Sequence, residues 1–164
     1  MRKKYCNGIT LIELLVVVAI VSILASAAMP LTRMTIKRAK EIELRNNLRI
    51  LRTAIDAFKR DCDGKKLSTV EGYCTEDKDN YPETLEQLTQ PLKLASGTDK
   101  VKKYLRRIPK DPMMAVESSN NTNNWGLRSY SDDPDSNQWG GGNVYDVYSK
   151  SDALALDGTK YNTW

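Results

Sequence analysis

The chain has 164 residues, with 25 Lys and Arg against 21 Asp and Glu, a formal net charge of +4 and no histidine. That length holds one domain plus one further element, not two full domains, and the lack of imidazole removes the commonest general base and metal ligand, which weighs against an enzyme. The mild net charge is unevenly laid out: Arg2, Lys3 and Lys4 open the chain, while Asp132, Asp133, Asp135, Asp146, Asp152 and Asp157 crowd its end.

From Ile9 to Met29 the chain is apolar or small except at Thr10, Glu13, Ser22 and Ser26. About 21 helical residues reach across roughly 30 Å of hydrocarbon, so the stretch predicts a membrane-spanning helix. Arg2, Lys3 and Lys4 precede it, and the positive-inside tendency keeps them in the cytoplasm while the rest of the chain is exported. A cleavable secretory signal is the alternative, with "ASAAMP" offering small residues, but the apolar run exceeds the usual signal core and contains an acid.

That acid, Glu13, needs an explanation, because a carboxylate there costs about 2.5–3.5 kcal/mol on insertion scales. A cut between Gly8 and Ile9 creates an α-amino group about one helical turn before it. Pairing within one helix is geometrically poor. A neighbouring copy shifted along the helix axis can instead bring its Glu13 against this amine, and a paired charge is far cheaper in lipid than a lone one. The glutamate therefore predicts assembly.

The run "GITLIELLVVVAI" from Gly8 resembles the class III signal sequence of type IV pilins and type II secretion pseudopilins. The resemblance implies that a prepilin peptidase cuts after Gly8 and methylates Ile9, and that Glu13 guides subunit docking. Ile9 departs from the Phe or Met more usual at that position.

Pro30 lacks an N–H and crowds the carbonyl of Ser26, which predicts a kink or local melting there. Beyond it, Leu44, Leu48, Leu51, Ile55 and Phe58 follow a 4-3-4-3 spacing, so the helix resumes with one apolar stripe against a globular head. Arg33, Lys37, Arg38, Lys40, Arg45, Arg49 and Arg52 supply its polar faces, and without interleaved aromatics they do not predict a nucleic-acid partner. "DCDGKK" ends the helix around Asp61 to Gly64. Cys62 and Cys74 flank this loop. In an exported segment they meet oxidising conditions, so a disulfide is expected, with free thiols or half a zinc site as alternatives. Cys6 leaves with the leader.

"YPETLEQLTQPL" resembles a short capped helix after Pro82, with Leu85, Leu88 and Leu92 on one face. "YLRRIPKDPMM" reads as an extended stretch ending in turns and is similar to the segment that joins helix to sheet in major pseudopilins. The following 30 or so residues, rich in Asn, Ser and Gly, read as a loop. Val144, Asp146 and Tyr148 alternate with Tyr145 and Val147, as in a strand. The family resemblance extends to an Asp-rich terminal loop that holds calcium, and it implies Ser149, Asp152 and Asp157 as possible ligands. "KSDALALDG" departs from the family pattern, and the alternative is that Asp152 and Asp157 cap turns through their own backbones.

The predicted fold is α+β: a leader (1–8), a transmembrane and polymerisation helix (9–29), its amphipathic half (30–61), and a globular periplasmic head (62–164) packed on the helix around a small antiparallel sheet. The predicted function is that of a structural subunit of a type II secretion pseudopilus. Its expected partners are other copies of itself, minor pseudopilins, the prepilin peptidase and the inner-membrane secretion platform, with no organic cofactor. The alternatives are a type IV pilin used for adhesion, motility or DNA uptake, and a monomeric membrane-anchored binding protein with the "WGGG" loop as its ligand site.

Overall fold

The computed structural model describes residues 9–68, 72–95, 100–114 and 125–164, leaving aside the side chains of 27–31. The chain divides into two compact units, residues 1–39 and 40–164. The first element, helix α1, covers Leu11–Asp63.

In the first unit every large apolar side chain from Ile9 to Leu24 is more than half exposed. A helix that is apolar on all sides needs lipid or other helices around it. Its serines are satisfied internally, with Ser22 Oγ donating to the Val18 carbonyl at 2.7 Å and Ser26 Oγ to that of Ile23 at 2.8 Å, as a waterless surrounding requires. Among the described residues, however, no helix is long and apolar enough to cross a membrane. The fully described apolar stretch stops at Ser26, and from Leu11 it spans about 24 Å, short of the roughly 30 Å needed. The spanning length predicted for 9–29 thus depends on 27–29, whose side chains lie outside the described set. The helix continues through Pro30 rather than melting there. A proline removes one N–H donor, and the turns on either side keep theirs.

In the second unit the 4-3-4-3 stripe of α1 becomes the centre of the core. Leu44, Leu51, Ile55 and Phe58 are fully buried and Leu48 nearly so, against Leu67, Leu85, Leu88, Leu92, Trp125, Val144, Val147 and Tyr161. Burying each such side chain contributes about 1.5–3 kcal/mol. The helix ends where "DCDGKK" predicted: Gly64 N–H donates to Arg60 O, Lys65 turns into the left-handed region at φ 49°, and Lys66 N–H returns to Asp61 O.

The predicted α+β fold holds, its small antiparallel sheet part consisting of two ribbons among the described residues. Strand β1 (Leu92–Lys93) pairs with β2 (Val101–Lys102), and β3 (Trp125–Arg128) with β4 (Asp146–Ser149). Residues 85–89, within the predicted short capped helix, form a 3-10 helix without a side-chain cap. Leu85 and Leu88 still reach the core, because i and i+3 eclipse in a 3-10 turn, while Leu92 belongs to β1. Strand β3 lies in the segment predicted as loop. It is held by Trp125, buried with its Nε1 donating to Pro109 O at 2.8 Å. It is held also by Gly126, where a Cβ would meet the Tyr148 ring at 2.2 Å. The predicted alternation across 144–148 does not hold, since Val147 and Tyr148 are both buried. With α1 and the C-terminal segment around it, β4 is covered on both faces.

Cys62 and Cys74 are joined, closing a loop with a sequence separation of 12. Closing a loop of that size stabilises by about 3 kcal/mol in the chain-entropy account. Replacing both by Ser should therefore lower the melting temperature by roughly 6–12 °C. Thermal melting followed by circular dichroism checks this, and an unchanged midpoint would show that the bond constrains little.

Candidate functional site

The site at the N-terminus starts from Thr10. Its Oγ1 accepts from the Glu13 backbone N–H at 3.3 Å, and its carbonyl accepts from Leu14 N–H at 3.1 Å, so Thr10 caps α1. "TLIE" is the Thr-x-x-Glu pattern of a capping box, a signal present in the sequence that the reading above did not use. Glu13 then stands in the first turn, where the helix dipole favours a negative charge. Its side chain is exposed, and its carboxylate bonds to nothing among the described residues. Ile9 precedes the helix and is 75% exposed. Gly8 lies outside the described residues, so the peptide bond predicted to be cut does too.

A second constellation lies on the polar side of α1 in the head, where three side chains hold the C-terminal segment. Glu41 Oε1 accepts from the Leu156 N–H and from the Tyr161 hydroxyl, both at 2.8 Å. Burial, and then the bond to Glu41, push the Tyr161 phenol up to about 12. Arg45 reaches Asp157 at 3.4 Å and lies 4.1 Å over the Trp164 ring. Arg52 forks onto both Asp146 oxygens at 2.7 and 3.2 Å and also donates to the carbonyls of Val147 and Trp164. Arg45 and Arg52 were predicted only as part of the polar faces of the helix and Glu41 was not singled out, and nothing in their spacing distinguishes a charge in water from one bonded more than 90 residues away.

The proposed calcium ligands are each engaged elsewhere. Ser149 is fully buried and donates to Asp111 at 2.6 Å. Asp152 accepts from Asn162 Nδ2 at 2.7 Å. Asp157 accepts from Thr159 N–H and hydroxyl, as a turn cap does, and these bonds hold its carboxyl below its ordinary value. No two of the three share a partner, and no group of three or more His, Cys, Asp or Glu among the described residues is arranged to hold a metal. Ser149 is thus turned to a carboxylate, Asp152 to an amide, and Asp157 to a hydroxyl and a guanidinium, whereas calcium takes six to eight oxygens. In the "WGGG" loop, Trp139 Nε1 donates to Asn143 O at 2.8 Å, and Gly141 and Gly142 sit at φ +82° and +83°, a conformation that glycine takes without strain.

Two buried carboxylates carry opposite electrostatics. At Asp61 burial opposes ionisation, but bonds from Lys102 and the Tyr104 hydroxyl and the charges of Lys102 and Lys66 outweigh it and lower the pKa. Its stabilising contribution is therefore present above its ordinary value of 3.8 and is lost as pH falls below that. At Asp111 burial prevails over the bonds from Ser149 and Met113 and raises the pKa, so its ionisation weakens the fold as pH rises.

With this geometry in place, comparison with known proteins shows what the chain is similar to. The family described as the prokaryotic N-terminal methylation motif matches residues 3–29, the stretch that contains Gly8, Ile9, Thr10 and Glu13. More particularly, the chain is homologous to the type II secretion system core protein G of Pseudomonas aeruginosa, at 27% identity over 117 residues, covering 68% of this chain and 71% of that protein. No solved structure matches. The resemblance drawn from the N-terminal motif thus holds, and so does the reading of the chain as a non-enzymatic protein.

If side chains of α1 rather than an ion hold the C-terminal segment, melting curves of the full chain should coincide in millimolar calcium and in chelator. Arg52→Ala should lower stability by about 1–3 kcal/mol, the range for a lost charge-assisted bond in a partly buried setting. Differential scanning fluorimetry reads both. A calcium-dependent rise of the midpoint would contradict the first expectation, and an unmoved Arg52→Ala midpoint the second.

Proposed function

We propose that this chain is a structural subunit of a type II secretion pseudopilus, processed at Gly8–Ile9 and polymerised through its N-terminal helix. The observation that carries the reading is Glu13: a carboxylate without a partner among the described residues, in the first turn of a helix whose large apolar side chains up to Leu24 are all exposed, inside the matched methylation motif. Such a group is costly in lipid, and a fixed positive charge offsets that cost. The α-amino group of a neighbouring processed subunit is that charge. The stretch 9–29 then anchors the chain in the inner membrane, with the head in the periplasm. A disulfide between Cys62 and Cys74 suits that oxidising compartment.

The proposed partners are further copies of the chain, minor pseudopilins, the processing peptidase and the secretion platform. The homology to a core protein of type II secretion favours this reading over a type IV pilin. No step depends on chemistry at the head. Buried Asp61 and Asp111 are both engaged in holding segments together.

If the peptidase needs an extended backbone with no side chain before the cut, Gly8→Val should retain the leader while the wild-type chain begins at Ile9. Mass spectrometry of the membrane-extracted chain reads this directly. A mature N-terminus at Ile9 in the variant, or a wild-type cut after Ala28, would overturn the processing assignment.

A further inference from the structure

The cations that follow the apolar stretch need a partner as much as the glutamate within it does. In the unit made of residues 1–39, α1 carries Arg33, Lys37 and Arg38 directly after the run 9–29. Arg33 and Arg38 are exposed, Lys37 is half-buried, and none of the three has a partner among the described residues. The nearest acids along the helix do not serve them. Glu13 precedes Arg33 by about 20 residues, roughly 30 Å at the helical rise, and Glu41 is engaged with the Leu156 N–H and the Tyr161 hydroxyl. The positive-inside tendency gives no reason for cations on the exported side, and a cut at Gly8–Ile9 takes Arg2, Lys3 and Lys4 away from the other.

Their position along the helix points to what they meet. At about 1.5 Å per residue, Arg33 stands about 6 Å beyond the end of the run at residue 29, and Lys37 and Arg38 about 12–14 Å beyond it. The headgroup layer adds roughly 5–8 Å to each side of the hydrocarbon. In an α-helix the Cα–Cβ bonds tilt toward the N-terminus, which here is toward the bilayer, and Lys and Arg carry their charge at the end of a long apolar stem. All three charges therefore reach headgroup depth. They need not share one helix face, because a helix that crosses the interface meets headgroups all round. Met34 and Ile36, interleaved with them, are 57% and 53% exposed, and apolar side chains beside cations suit the boundary between acyl chains and headgroups.

We propose that Arg33, Lys37 and Arg38 bind the phosphates of anionic phospholipids in the leaflet on the exported side and so fix how deep the chain sits in the membrane. This rests on the anchoring reading above and extends it from the apolar run to its exit. Each guanidinium can give a phosphate two parallel N–H donors, and Lys37 adds a compact charge.

The test uses the full chain in vesicles of equal parts phosphatidylglycerol and phosphatidylcholine. Met34→benzoylphenylalanine places a photoreactive group beside the cations, and mass spectrometry reads which lipid it captures. The same group at Ile20, inside the apolar run, supplies the reference ratio. One cation at an anionic surface corresponds to a factor of about five, so at Met34 the phosphatidylglycerol adducts should exceed the reference ratio by at least that factor. Arg33→Gln, Lys37→Gln and Arg38→Gln together should return the ratio to the reference, as should about 1 M salt, where screening acts within a few ångströms. If Ile20 captures lipid but Met34 shows only the reference ratio, the headgroup contact is wrong while anchoring stands. If Ile20 captures no lipid, both fall. A preference that survives the three Gln substitutions, or capture of a second copy of the chain at Met34 in place of lipid, also overturns the proposal.

Discussion

The head depends on one seam. Leu44, Leu48, Leu51, Ile55 and Phe58 place an apolar side chain on the same side of α1 at every turn, and the segments that follow have no comparable apolar surface of their own. The two ribbons are two and four residue pairs long, too short to be stable in water alone. They exist because each contributes buried groups to the helix stripe, Leu92 from β1, Trp125 from β3 and Val147 from β4. Truncating a fully buried residue in this seam, such as Leu51, falls in the large-to-small range of about 2–5 kcal/mol.

Around that seam, directional bonds decide where each segment lies. Asn47 donates to Lys110 O at 3.0 Å, Glu41 and Arg52 take the C-terminal segment, and Asp61 receives Tyr104. Beyond Asp61 the disulfide at Cys62 ties down the loop that follows. Helix α1 is therefore a template twice over, through apolar burial on one side and charged or amide side chains on the others. Protein side chains thus hold the C-terminal segment of a chain that departs from the acidic loop pattern its N-terminal motif leads one to expect.

Features with strong local periodicity were legible in the sequence: the apolar run with its odd glutamate, the 4-3-4-3 stripe, the helix stop at "DCDGKK" and the nearby cysteine pair. The ribbon β1–β2 was not, because two-residue strands carry no alternation to read. Strand β3 was hidden by its Asn-rich approach and by Gly126, a residue that disfavours strands in general but here makes room for the Tyr148 ring. The 3-10 turn at Leu85–Thr89 shares its i, i+3 spacing with a helix, so the pattern alone could not separate them. The roles of Glu41, Arg45 and Arg52 depend on residues some 90 to 120 positions away, and only the fold brings them together. Thr10 was legible as a cap through "TLIE", whose Glu13 is also the acid within the apolar run.

The same glutamate is where the proposed assembly meets the chemistry of the helix. Thr10 and the helix dipole settle how the chain starts and give Glu13 a favourable local field, but neither supplies a counter-charge. The most direct test compares Glu13→Ala and Glu13→Gln with the wild type, measuring crosslinks between neighbouring N-terminal helices in membranes together with export of a native substrate. Assembly through an amine–carboxylate pair predicts that Glu13→Ala inserts normally but loses crosslinks and export, with Glu13→Gln intermediate because its amide still accepts a hydrogen bond. Glu13→Ala chains that are processed, crosslink and support export like the wild type would contradict the account.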